Sequence, residues 1–117
     1  MILLLLVPAE TLTAQAPESM ESTFRKMLAA IQSNSYEDFV APGDAMFKAG
    51  MTKETLEDVS RQLAARLKQG YQGLFLNSLN QQGYVVYLWK LAFKDGKDDH
   101  LVKMAVKDGK VGGFWIQ

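Results

Sequence analysis

The chain contains no cysteine. A disulfide framework, thiolate chemistry and a lipid-anchoring cysteine are therefore all excluded. Histidine is almost as scarce. His100 stands alone, which excludes most zinc sites, because these want cysteines or several histidines. No apolar run is long enough to span a bilayer as a helix: the longest, Ile2 to Val7, is far too short. No catalytic motif, metal-ligand cluster, phosphate-binding loop, repeat or low-complexity tract is present. Activity is therefore not written in the sequence, which speaks instead to architecture and surface.

What is there is ordinary for one globular domain: 117 residues, 48% of them hydrophobic and 22% charged. Such a chain buries a core without staples. Formal net charge is zero, but it is unevenly spread: residues 1–58 carry nine acids and four bases, and residues 59–117 carry four acids and nine bases. This asymmetry can steer a charged partner or pair the two halves with each other.

The apolar run Ile2–Val7, then Pro8 and a polar stretch ending in Ala14-Gln15-Ala16, reads as a signal peptide, since small residues at those last positions are what a signal peptidase recognises. Residues 1–16 are the expected leader and 17–117 a single domain of an exported protein, periplasmic or secreted, without a stable membrane anchor. No Lys or Arg precedes the run, and Pro17 would follow the cut. Cleavage after Ala9, a start further upstream, and an N-terminal element packed on the core therefore stay open.

Helical spacing comes first along the chain. Ser19 is the expected N-cap of a helix over 19–33, with Met20, Phe24, Met27, Leu28 and Ile31 on one stripe. Tyr36, Phe39 and Val40 mark a short second helix, Asp44 to Ala49 a further turn, and Thr52 caps a helix over 53–69 whose stripe is Leu56, Val59, Leu63 and Leu67. The period then drops to two. Strands are expected over 71–80, 84–94, 100–107 and 110–117, with Asp108-Gly109 a strong two-residue hairpin signal.

Regular alternation from that turn divides the sheet. Val85, Tyr87, Trp89, Leu91, Phe93, Val102, Met104, Val106, Val111 and Trp115 fall on the inward face. Side chains this large, each worth roughly 1.5–3 kcal/mol when buried, require a helical layer to cover them. The other face receives Lys90, Lys94, Lys103, Lys107 and Lys110 among Tyr84, Val86, Leu88, Leu101, Phe114 and Ile116. It reads either as a solvated face whose lysines keep the sheet soluble and block edge pairing, or as a contact surface. Lys90, Lys103, Phe114, Ile116 and Leu88 are its candidate interface residues. The glycine pair 112–113 would let a neighbouring side chain such as Trp89 lie across the backbone.

Three helices followed by a long bent antiparallel sheet, the phrase Ser-Asn-Ser-Tyr-Glu-Asp-Phe, the helix start Thr-Lys-Glu-Thr-Leu and the closing Lys-Asp-Gly-Lys-Val-Gly-Gly-Phe-Trp together resemble the nuclear transport factor 2-like, or cystatin-like, superfamily over residues 18–117. The likeness is greatest to small exported bacterial members of unknown function. It implies a cone-shaped α+β fold, with N-terminal helices packed on a curved four-stranded antiparallel sheet. It also implies pairing through the outer sheet face, hence a homodimer. It does not imply an activity, because the superfamily holds isomerases, cyclases, dehydratases and many non-enzymes.

An enzyme of this shape needs an acid or base and an oxyanion donor inside the cone. The inward face offers Tyr87, Trp89 and His100 but no carboxylate. No catalytic residue and no cofactor is therefore expected, and catalysis remains the alternative: an isomerase- or cyclase-like enzyme working on an apolar substrate between helices and sheet. Tyr87, Trp89, Met104 and His100 are the candidate pocket residues. The expected role is a non-catalytic exported domain binding a protein partner or a small apolar ligand, self-associating through the outer face, with an anionic partner also open. Nucleic acid is not expected, since no arginine lies on that face. Asp98, Asp99 and His100 could make only a weak cation site and read better as a solvated turn.

Overall fold

The computed structural model describes residues 15–117. Of the expected leader, only Gln15 and Ala16 lie among the described residues. The fold is α+β: four helices, α1 (Glu18–Ser33), α2 (Tyr36–Val40), α3 (Ala45–Gly50) and α4 (Lys53–Gln69), then four strands, β1 (Tyr71–Gln81), β2 (Tyr84–Phe93), β3 (His100–Lys107) and β4 (Lys110–Ile116). Helices before an antiparallel sheet is the order that the cystatin-like resemblance implies; the helices number four rather than three, because the turn expected at 44–49 is a short helix of its own, α3.

The helix ends follow their caps. Thr52 Oγ1 accepts from the Thr55 amide at 3.1 Å, and Asp44 accepts from the Phe47 amide at 2.8 Å. α1 begins one residue earlier than expected, and its cap lies two residues earlier. Pro17, not Ser19, takes the capping position, and its carbonyl accepts from the amides of Met20 and Glu21, each at 2.9 Å. A proline loses little there, because the donor it lacks would have had no helical partner. α1 and α4 pack together and turn Phe24, Met27, Leu28, Ile31, Leu56, Leu63 and Leu67 towards the sheet.

The strands form an antiparallel meander in the order β1-β2-β3-β4. Two-residue turns join β1 to β2 and β3 to β4. Both of their residues have positive φ, 52° and 84° at Gln82-Gly83 and 51° and 74° at Asp108-Gly109, as the twist of a hairpin favours. The inward face of β2 and β3 is the expected one: Trp89, Leu91, Phe93, Val102, Met104 and Val106 are buried beneath the helices. Val85 shares that face but is only half-buried. Phe24 stacks flat on Trp89 with ring centroids 4.2 Å apart. The Trp89 indole N–H donates to Glu21 Oε2 at 2.8 Å, which satisfies the one polar atom this ring carries inside.

β4 departs from the expected alternation. Val106 pairs with Val111, but Ala105 pairs with Gly113, so Gly112 is an extra residue and the strand bulges there. Parity flips beyond it. Met104 pairs with Phe114, Lys103 with Trp115 and Val102 with Ile116. Phe114 and Ile116, expected outside, therefore face the helical side and pack against the core, with Phe114 edge-on to Phe39. Trp115, expected inside, is on the outer face and 49% exposed.

Candidate functional site

The helices pack on the inner face and along the β4 edge, where the Val111 amide donates to the Pro42 carbonyl and the Asp44 amide to the Val111 carbonyl. The outer face is made mainly of strand residues, with the Asp44 carboxylate at its β4 edge, 3.4 Å from where a Gly112 Cβ would sit, and the register sets the strand residues in rows across the sheet. One row is Leu74, Lys90 and Leu101. The next is Asn77, Leu88, Lys103 and Trp115. Then come Leu79, Val86, Ala105 and Gly113. Tyr84, Lys107 and Lys110 close that end, with the Lys107 ammonium 5.7 Å from the Tyr84 ring centroid. Leu74, Leu76 and Leu79 are all exposed.

The third row is a hollow. The Trp115 ring lies across Gly113, where any Cβ would overlap it. Tyr84 stands on the other side, its Cε1 only 2.7 Å from where a Gly112 Cβ would sit. The two rings wall a depression floored by Val86, Ala105 and Gly112, with Gln81 and Gln82 at its rim. Val86 and Ala105 are buried here yet separate from the main core. The expected use of the glycine pair is thus half right. A side chain does lie across it, but it is Trp115 rather than Trp89, which stacks on Phe24 instead.

The charges of this face stand apart from those of the helices. All three arginines of the chain are ion-paired: Arg25 with Glu21, Arg61 with Glu57 and Asp58, and Arg66 with Asp95. None of the five lysines on the outer face has such a partner among the described residues, and no Asp or Glu shares their rows.

Inside, the four candidate pocket residues separate. Trp89 and Met104 are wholly buried, and Tyr87 is half-buried against Phe75 and Trp89. His100 lies elsewhere, on a cleft of about 240 Å³ between α4 and the end of the sheet, with Met51, Val59, Phe114 and Ile116 among its walls. Both ring nitrogens of His100 are engaged. Arg66 Nη1 reaches Nε2 at 3.1 Å, so Nε2 accepts and Nδ1 carries the proton towards the Gln117 carbonyl, also at 3.1 Å. Arg66 itself grips Asp95 through Nε at 2.6 Å and Nη2 at 3.2 Å, lies 3.9 Å above the Phe93 ring, and donates to the Asp98 carbonyl. Its hydrogen bond holds the Asp95 carboxyl below the ordinary range, assisted by the Lys97 amide. The contact with Asp95 raises the Arg66 guanidinium further above its already high value. This cluster pins the β2–β3 loop to α4. Among the described residues, no group of three His, Asp or Glu side chains could hold a metal ion, and no helix is long and apolar enough to cross a membrane.

The walls of the hollow and the Trp89–Glu21 bond escaped the sequence. The adjacent glycines at 112–113, directly after a tight turn, were the available sign of a bulge. The chain matches no family model and no curated protein. Among solved structures it is similar to an uncharacterized cystatin fold protein from Novosphingobium aromaticivorans, with 14% identity and a TM-score of 0.41 over 87% of this chain and 99% of that one.

Proposed function

We propose that the chain is a non-catalytic binding domain that meets a polypeptide partner through its outer sheet face, in the exported setting that its leader-like start implies. The hollow between Tyr84 and Trp115 carries this reading. A large aromatic ring held half in water, beside a buried apolar floor, is how interfaces seat an anchoring side chain. Exposed leucines and lysines that have no ion-pair partner among the described residues surround it, giving an apolar centre with a charged rim. A second copy of the chain is the alternative occupant of this face, and dilution distinguishes it.

Amide shifts of the full chain test the reading, followed during dilution and during titration with acidic, neutral and basic peptides. Shifts grouped on Tyr84, Leu88, Lys103 and Trp115 are expected with at least one of these. If no ligand and no change of concentration moves that group, the outer face is not a contact surface.

A second reading rests on the cleft beside His100. Met51, Val59, Phe114 and Ile116 are each half-buried around it, and that much apolar surface facing one opening suits a small apolar ligand. With both nitrogens of His100 engaged, the cleft is better suited to holding such a molecule than to moving a proton. Ile116→Trp, which fills the cleft, is expected to abolish binding of a probe such as anilinonaphthalene sulfonate there. Unchanged probe fluorescence would remove this reading.

A further inference from the structure

The reading of the outer face as a contact surface leaves its partner open, and the next step rests on that reading. We propose that this face takes an extended acidic segment of another polypeptide. Alternate side chains would set carboxylates against Lys90, Lys103 and the Lys107–Lys110 pair, and one apolar side chain into the hollow between Tyr84 and Trp115.

The spacing is what points there. Lys90 pairs with Leu101 and Lys103 with Leu88, so the two lysines occupy neighbouring rows of adjacent strands. The hollow is the next row, and Lys107 with Lys110 the one after. Successive rows are two residues apart along a strand, about 6.8 Å. An extended chain presents the side chains of one face at the same interval. A segment running along the strands therefore matches row for row with acid at positions i, i+2 and i+6 and an apolar residue at i+4.

Charge sets the class of partner. The lysines of these rows have no ion-pair partner among the described residues, and the rows contain no acid; the nearest carboxylates, Asp108 in the turn and Asp44 beside Gly112, lie at the edge and form no such pair with them. Two copies stacked through this face would bring lysine-bearing rims against each other, a like-charge contact that costs affinity. An acidic strand supplies the counterpart and leaves the leucines and Trp115 to exclude water.

The direct test uses the full chain and the synthetic peptide Glu-Ser-Glu-Ser-Leu-Ser-Glu, titrated in low and high salt beside its Gln counterpart. Binding to the acidic peptide is expected to move Tyr84, Lys90, Lys103 and Trp115. Raising salt should weaken it, and the double variant Lys90→Gln, Lys103→Gln should weaken it about fivefold, as two exposed ion pairs allow. Lys90 is exposed, and Lys103, though half-buried, lies on the outer face with no ion-pair partner among the described residues, so melting of the variant should stay close to the parent. Equal binding of the Gln peptide overturns the proposal, as does indifference to the lysine changes. Binding confined to phosphatidylglycerol vesicles, or self-association that strengthens with salt, overturns it too. A neutral or basic peptide that moves the face while the acidic one does not would overturn the acidic partner but keep the contact surface.

Discussion

At the scale of single residues, Gly113 decides where an indole goes. Its missing side chain is the space in which the Trp115 ring lies. Gly113→Val should lift that ring into solvent while leaving Trp89 beneath the helices. Iodide quenching of tryptophan emission is expected to rise, and quenching no greater than in the parent would show the ring is not seated there. Asp95 offers a residue-level test through pH. The Arg66 hydrogen bond lowers its carboxyl affinity for protons in the folded chain. The stability it contributes is therefore complete above the ordinary aspartate value, about 3.9, and is lost as pH falls through the lower folded value. Asp95→Asn should melt at a lower temperature than the parent at neutral pH. That gap should close as the parent is acidified, and a gap that stays constant down to the lowest pH would assign the stabilisation elsewhere.

At the scale of elements, β4 shows how one inserted residue reassigns a strand. Before Gly112 the alternation expected from the Asp108-Gly109 turn holds, with Val111 buried opposite Val106; beyond it each side chain changes face. Inserting one alanine between Gly113 and Phe114 shifts every later residue by one place and drives Trp115 inward and Phe114 outward, against a core already filled by Phe39 and Met104. Overpacking on one face and lost contacts on the other should cost at least about 3 kcal/mol, read as a shift of the urea midpoint. A midpoint within error of the parent would mean the strand can pair either way. α4 needs no such context. Its cap, first-turn acid and last-turn bases are all local, and it forms where they say.

At the scale of the whole molecule, the burial is lopsided. The helices seal one side of the β2–β3 pair, while β1 from Leu76 onward is exposed throughout. Hydrogen exchange should follow this: slowest at Trp89, Leu91, Val102 and Met104, and much faster at Ser78 to Gln81. Uniform protection along β1 would mean that its end is covered. The charge is lopsided as well. The arginines are spent on helix and loop pairs and the sheet face keeps its lysines, which is the physical basis for placing a partner there. Little of that site was legible beforehand. Lys90, Lys103 and Leu88 could be assigned to it because β2 and β3 alternate without interruption. Phe114 and Ile116 were misplaced because a bulge leaves the residue types of a strand unchanged. Tyr84 was on the correct face, but its role as a wall depends on Trp115 arriving opposite.

By itself, the sequence determined the α+β order, the stripes of α1 and α4, the two hairpin turns and the inward parity of β2 and β3. All of these follow from periodicities and caps that act within a few residues. Tertiary structure alone decided the bulge at Gly112, the exchange of Trp115 for Phe114 and Ile116, the Trp89–Glu21 bond and the Arg66–Asp95–His100 cluster. Each of these joins groups distant in the chain, and which arrangement wins depends on how the whole core fills and which buried polar atoms find partners.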